Sequence, residues 1–208
     1  MKKVLGVIIF TLMCFALNTG YVDAGSKAEK PKEEKTDPTG EYVIDTEKAH
    51  AFIQFKISHL GYSWLYGRFN TFSGEFTYNH KKPGKSKIKV DIDPASVDTN
   101  FALRDKHIRE EGLFEVDKFP KSSFVSTSYE KTGDTTGVLK GDFTFHGVTK
   151  NISIDVTEIG YGKDPWGGYR MGFEGVTNIS MKEFGITKNL GPASDNVEIH
   201  LSIEGIRK

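Results

Sequence analysis

The sequence predicts an all-β fold, about eight strands closing into a barrel, interrupted by one short helical insertion. Three observations lead to it. From Tyr42 onward, apolar residues recur at every second position in short runs, the pattern of strands with one buried face. The apolar phase slips by one residue between Phe69 and Phe72, as it does where a strand bends sharply and a sheet curls over. Only Asp98 to Pro120 departs from the two-residue period.

The chain of 208 residues opens on a segment to be set aside before the fold is read. Lys2 and Lys3 precede an almost unbroken apolar run from Val4 to Leu17, and Val22 to Ala24 offer small residues for cleavage. Residues 1–24 therefore read as an export signal cut after Ala24, and the mature protein as periplasmic or secreted. A retained anchor is the competing reading, but the run falls short of the ~20 apolar residues a spanning helix needs, and the chain is not read as an integral membrane protein. Cys14, the only cysteine, lies in this run, so the mature chain carries no disulfide or thiolate site. Leu12 and Met13 before it are too bulky for a lipoprotein cleavage site.

Residues 25–40, "GSKAEKPKEEKTDPTG", contain no large apolar side chain and read as a flexible charged tether. Residues 41–208 form the folded domain. Without residues 1–24 the chain has 26 basic and 27 acidic side chains. That balance supplies no field to draw in nucleic acid or an anionic membrane.

Strands are expected near residues 41–45, 50–59, 64–78, 86–93, 122–130, 136–146, 150–160, 167–180 and 196–206. Their apolar faces include Leu65 and Phe69, Phe72 and Phe76, Ile88 with Val90 and Ile92, Leu139 with Phe143 and Phe145, Ile152 with Ile154, and Val197 with Ile199, Leu201 and Ile203. Gly67 and Gly74 suit a bent strand. In the helical insertion, Thr99 or Asn100 is placed to cap the start, Asp105 and Arg109 to pair on the surface at i,i+4, and Gly112 to end the helix. Two packed sheets would also satisfy the strand pattern. The bend, the strand lengths and the abundant phenylalanines favour a barrel, whose interior at eight strands is either just filled or able to hold one slender ligand.

In "HAFIQFKISHLGYSW" (His50 to Trp64), His59 continues the phase of Ile53, Phe55 and Ile57 and so stands at one end of the apolar lining. It is either a hydrogen-bonded core histidine or a polar contact for a ligand. Arg104, His107 and Arg109 on the insertion are candidates for the same rim, or else a solvated helix face. Gly-x-Ser-x-Gly and His-Glu-x-x-His are absent from the sequence, the six histidines lack metal-site spacing, and Asp91, Asp93 and Asp98 lack the glycine and glutamate of a calcium loop. No enzyme, metal or cofactor is read from the chain.

With these residues in place, the chain resembles the YceI-like, polyisoprenoid-binding family of exported bacterial proteins. The resemblance rests on "FIQFKISHLGYSWLYGRFNTFSGEF" (similar to a strand ending His-Leu-Gly and continuing Gly-x-Phe-x-x-Phe-x-Gly), on "IDPASVDTNFALRDKHIREEGLFEVDKFPKSSF" (Ser-Val-Asp-Thr, Arg-Asp-x-His-Leu-Arg, Phe-x-Val and Phe-Pro), on "LKGDFTFHGVTKNISIDV" and on "EFGI" at Glu183 to Ile186. It spans residues 41–206. Glu183 stands where the family often has aspartate, and Ile108 replaces a common leucine. The resemblance implies a lipocalin-like antiparallel β-barrel holding a long isoprenoid, lipid or quinone-type tail. It places Phe55, Ile57, Phe69, Phe76, Val90, Ile92, Phe143 and Ile154 in the lining, with His59, Arg104, His107 and Arg109 toward a polar head group. A lipid-modifying hydrolase and a non-binding structural or stress-associated β-domain are the alternative functions, and the sequence leaves a homodimer open.

Overall fold

The computed structural model describes residues 36–110, 112–191 and 193–208. The expected export signal and the expected tether up to residue 35 lie outside the described residues. Eleven strands are described: β1 (Gly40–Ile44), β2 (Phe52–His59), β3 (Ser63–Phe69), β4 (Phe72–Tyr78), β5 (Lys87–Ile92), β6 (Val97–Asp98), β7 (Ser122–Lys131), β8 (Thr136–Phe145), β9 (Val148–Lys163), β10 (Tyr169–Ser180) and β11 (Asn196–Arg207). One α-helix, α1 (Ala102–Arg109), follows β6.

All pairings are antiparallel, and β1, β4, β5, β7, β8, β9, β10 and β11 close into a ring of eight through the β1–β11 pair. The remaining three strands continue that ring. Tyr42–Ile44 pair with Gly205–Arg207 on β11, and Phe52–Ile57 take up the same edge at Val197–Ser202, so β1 and β2 act as one strand broken at residues 45–51. In the same way β3 pairs with β2 and β4 with β1, while β6 extends β5 by pairing with β3.

The strand expected over residues 64–78 is thus two. Its phase slip marks the chain crossing at Asn70 and Thr71, where Asn70 N–H donates to Ser96 O and Thr71 N–H to Ser96 Oγ. Two register shifts add curvature: Thr127 is the extra residue opposite the Gly141/Lys140 step, and Ile159 is the extra residue opposite Gly172 and Phe173.

The folded domain also takes in residues 36–40, which the sequence reading left in the tether. Pro38 is fully buried, its carbonyl accepts from Tyr42 Oη at 2.6 Å, and Thr36 O accepts from Tyr169 Oη. Composition hides this because the segment docks mainly through backbone carbonyls.

The barrel is filled unequally. At the end formed by β1, the start of β10 and the end of β11, Tyr42 stacks on Phe76 with ring centroids 4.7 Å apart, and Phe173 meets Phe76 edge-on. Met171 is fully buried there, and the Arg207 guanidinium lies 3.6 Å above the Tyr169 ring. This aromatic plug occupies one end of the interior. At the other end lie the β2–β3 turn, the connection carrying α1, the β8–β9 turn, and the β10–β11 connection, which opens with a 3-10 turn at Met181–Phe184. Phe114, Phe143, Phe145 and Phe184 form edge-on pairs beneath them, but the interior between the two aromatic groups is not filled.

Candidate functional site

That unfilled interior is a cavity of about 480 Å³, within the size range of small-molecule sites. Its walls are the inward residues of the period-two strands, from Ile53, Phe55 and Ile57 on β2 round to Val197, Ile199 and Leu201 on β11. A second hollow of about 90 Å³ lies toward the plug, between Phe76, Tyr78, Tyr129 and Phe173. Ile88, Leu139, Ile154, Leu201 and Ile203 line both, so the two hollows are neighbours separated by an aliphatic throat.

Of the residues proposed from sequence for the lining, Phe55, Ile57, Phe69, Val90, Ile92, Phe143 and Ile154 face the main cavity. Phe76 does not: it is held in the plug by Tyr42 and Phe173 and touches only the smaller hollow. Gly67 has a packing role as well as a bending one. It pairs with Phe55 across the β2–β3 ladder, and the Phe55 ring covers it so closely that a Cβ would overlap the ring. Gly141 under Phe124, Gly137 under Tyr129 and Gly205 under Phe76 repeat the arrangement, as in barrels where rings lie over glycines in the wall.

The polar lining sorts into two kinds. Ser122 Oγ donates to Thr144 O, Thr177 Oγ1 to Ser153 O and Ser194 Oγ to Gly191 O, while Ser58 Oγ accepts from Gly61 N–H. These hydroxyls serve the backbone. His59, His107, Arg104 and Lys188 form the second kind, and all four line the cavity. Among the described residues, none of the four has an ion-pair partner, and the cavity lining includes no carboxylate. An imidazole-bearing, cationic rim therefore surrounds an apolar well.

Arg104 is oriented by the turn before α1. Its Nε donates to Thr99 Oγ1 at 2.7 Å and a terminal amino group donates to Thr99 O at 2.6 Å. Thr99 in turn donates its N–H to Asp105 Oδ1 at 2.8 Å, and Asp105 is buried. The expected helix-capping role of Thr99 or Asn100 is thus replaced by the reverse arrangement, with the carboxylate on the helix and the donors on the turn. Phe101 stands at the cap position without a side-chain bond. The expected Asp105–Arg109 surface pair is absent for the same reason. Arg109 points away from the cavity, its guanidinium donating to Ala95 O and Val97 O at 3.4 and 3.5 Å, and it does not join the rim.

Lining residues missed from sequence include Leu60 in the β2–β3 turn, Leu113 and Phe114 after α1, and Lys188, Leu190 and Ser194 on the β10–β11 connection, where no periodicity signals a facing direction. That connection is tied down by His146 in the β8–β9 turn. His146 Nδ1 is hydrogen-bonded to Phe184 O at 2.9 Å and its Nε2 to Glu115 Oε2 at 2.7 Å, so one ring clasps two segments of the rim.

The YceI-like domain profile matches residues 42–205, nearly the whole described fold. The chain belongs to the YceI-like family. Among its relatives, a UPF0312 protein of Ectopseudomonas mendocina is 55% identical over 168 residues, 81% of this chain and 88% of that one. The Campylobacter jejuni YceI protein superposes with a TM-score of 0.66 at 28% identity, covering 73% of this chain and 90% of that one. A polyisoprenoid binding domain from Saccharophagus degradans, implicated in plant cell wall breakdown, superposes with a TM-score of 0.57 at 15% identity, covering 80% and 98%; at that identity the likeness is one of fold. The YceI-like barrel is thus the expected eight-stranded antiparallel one.

Proposed function

We propose that this protein is an exported carrier for one long-chain isoprenoid, lipid or quinone-type molecule, tail in the well and head group at the rim. The observation that carries the reading is the cavity itself: about 480 Å³ of apolar-lined space, with Arg104, Lys188, His59 and His107 gathered at its rim. A structural β-domain gains stability by filling its core, since each methyl-sized void costs ~1 kcal/mol. Here an eight-stranded wall with many phenylalanines leaves the centre unfilled. Burying a chain in it contributes about 0.8 kcal/mol per methylene before association costs, so retention requires no chemistry. The fold shared with the Saccharophagus degradans domain supports an isoprenoid as the first candidate. The leader-like sequence of residues 1–24 supports a location outside the cytoplasm.

The experiment is to purify the protein from its native host, extract it with organic solvent and compare native mass spectra before and after. A bound apolar mass that leaves on extraction is the expected result; protein without one overturns the proposal.

A further inference from the structure

We propose that the β2–β3 hairpin and the start of α1 form a docking surface for an anionic phospholipid bilayer, seating the cavity rim against the membrane. This rests on the carrier reading above, because the surface matters as the route by which an apolar ligand enters the well without crossing water.

The large exposed apolar side chains are unevenly distributed. Leu60, Tyr62, Trp64 and Tyr66 are 43%, 87%, 60% and 62% exposed, all within seven residues of one hairpin. Phe101 and Leu103, at 56% and 52%, open α1. The β3–β6 ladder pairs Phe69 with Val97 and Arg68 with Asp98. The ladder ends at Asp98, so Phe101 and Leu103 follow within five residues of a strand paired to the hairpin, at the same end of the barrel.

Three features select a bilayer as the occupant. The band is continuous with the well: Leu60 is at once exposed and part of the cavity lining, as is His59 beside it. Its composition, tyrosine and tryptophan with a few aliphatics, is that of side chains seated at the boundary between head groups and acyl chains. Its charge is complementary to anionic lipid. Arg104 and Lys188 line the mouth, where the lining includes no carboxylate, and have no ion-pair partner among the described residues; the acidic side chains of the same connections lie outside the lining, Asp98, Glu110 and Asp195 paired with Arg68, Lys106 and Lys182, and Asp117 and Glu183 exposed without an ion pair. The chain as a whole is neutral, so attraction would come from this local placement. Trp166, 77% exposed in the β9–β10 turn, lies at the opposite end of the barrel and supplies an internal control.

The test uses the purified protein and phosphatidylcholine vesicles with and without phosphatidylglycerol. Co-sedimentation is expected with the anionic vesicles and lost when Tyr62→Ser and Trp64→Ser are combined. Lys188→Gln should weaken it about fivefold, the effect of one cation near a charged surface. In Trp166→Phe protein, brominated lipid should quench Trp64; in Trp64→Phe protein it should leave Trp166 unquenched. Equal quenching of both tryptophans, or none of Trp64, overturns the proposal. So does a dimer that the Tyr62→Ser, Trp64→Ser variant converts to monomer, since the band would then be an interface between copies. Lipid content measured on the same sample separates the two readings. Lipid-loaded protein that ignores vesicles overturns the docking surface and leaves the carrier standing; protein that docks but never holds lipid supports the surface and removes the carrier.

Discussion

Phe55 on β2 lies over Gly67 on β3, the ring occupying the space a side chain at 67 would take. The pair sets the width of the well on this side: with no Cβ beneath it, Phe55 folds back against the wall and leaves the centre open. Gly67→Ala should force the ring inward, reducing the space for a ligand and costing about 1–3 kcal/mol as an overpacked site does. Thermal unfolding with uptake of a fluorescent prenyl probe reads both effects. A variant with full uptake would show that the ring's position does not govern access.

The two faces of β2 make opposite predictions. Ile57 points into the well and Gln54 outward, exposed, opposite Arg68. Ile57→Asp should abolish probe uptake, because an ionised carboxylate in an apolar cavity must either be neutralised or bring water with it. Gln54→Asp should leave uptake within error, and equal losses would contradict the assigned facing.

The throat between the hollows predicts a limit on chain length. Ile154 is buried and lines both spaces. Ile154→Ala should cost about 2–5 kcal/mol and, if the fold survives, join the hollows and shift binding toward longer chains. Competition between prenyl alcohols of graded length measures that shift; an unchanged order of preference would place the end of the tail elsewhere.

Arg170 predicts an acid-sensitive seam outside the well. It is mostly buried, contacts Asp45 and Asp164 at 2.8 Å each, and also binds Glu204. For Asp45, burial works to raise the carboxyl's pKa, but hydrogen bonds from Arg170 and His50 outweigh it and hold the group below its usual range. The Arg170 guanidinium is pushed up by its hydrogen bonds to Asp45, Asp164 and Glu204. A carboxylate depressed in the folded state contributes stability above its unfolded pKa of about 3.9, and the contribution is lost as pH falls through the folded value. The wild type should therefore lose thermal stability progressively below about pH 5. Arg170→Met should cost about 3–5 kcal/mol near neutral pH by leaving buried carboxylates unpaired. The gap between the two proteins should narrow in acid, and a melting-temperature difference independent of pH would refute the assignment.

Most of the wall was legible in the sequence because a two-residue period reports which side chains share a face. It does not report what stands across from them. Phe76 and Phe143 are equivalent in phase, yet one is wedged between Tyr42 and Phe173 while the other borders open space. The break at Asn70 and Thr71 showed as a slip in phase, whereas the two-residue strand β6 is too short to show any period. Lys188 sits on an irregular connection with no period to report its facing, and for Arg109 helical spacing fixes a neighbour on the helix and not the carbonyls of the preceding turn that hold it away from the rim.

The last strand has an outsized share of the architecture: β11 alone joins β10 to both halves of the broken β1–β2 element. Until residues 196–207 are in place the ring has two raw borders, each a template for pairing with another chain. Folding is consequently a race between seating this segment and clumping of half-built molecules. Helpers that shield strand edges during that interval would matter more to yield than any gain in the stability of the finished barrel.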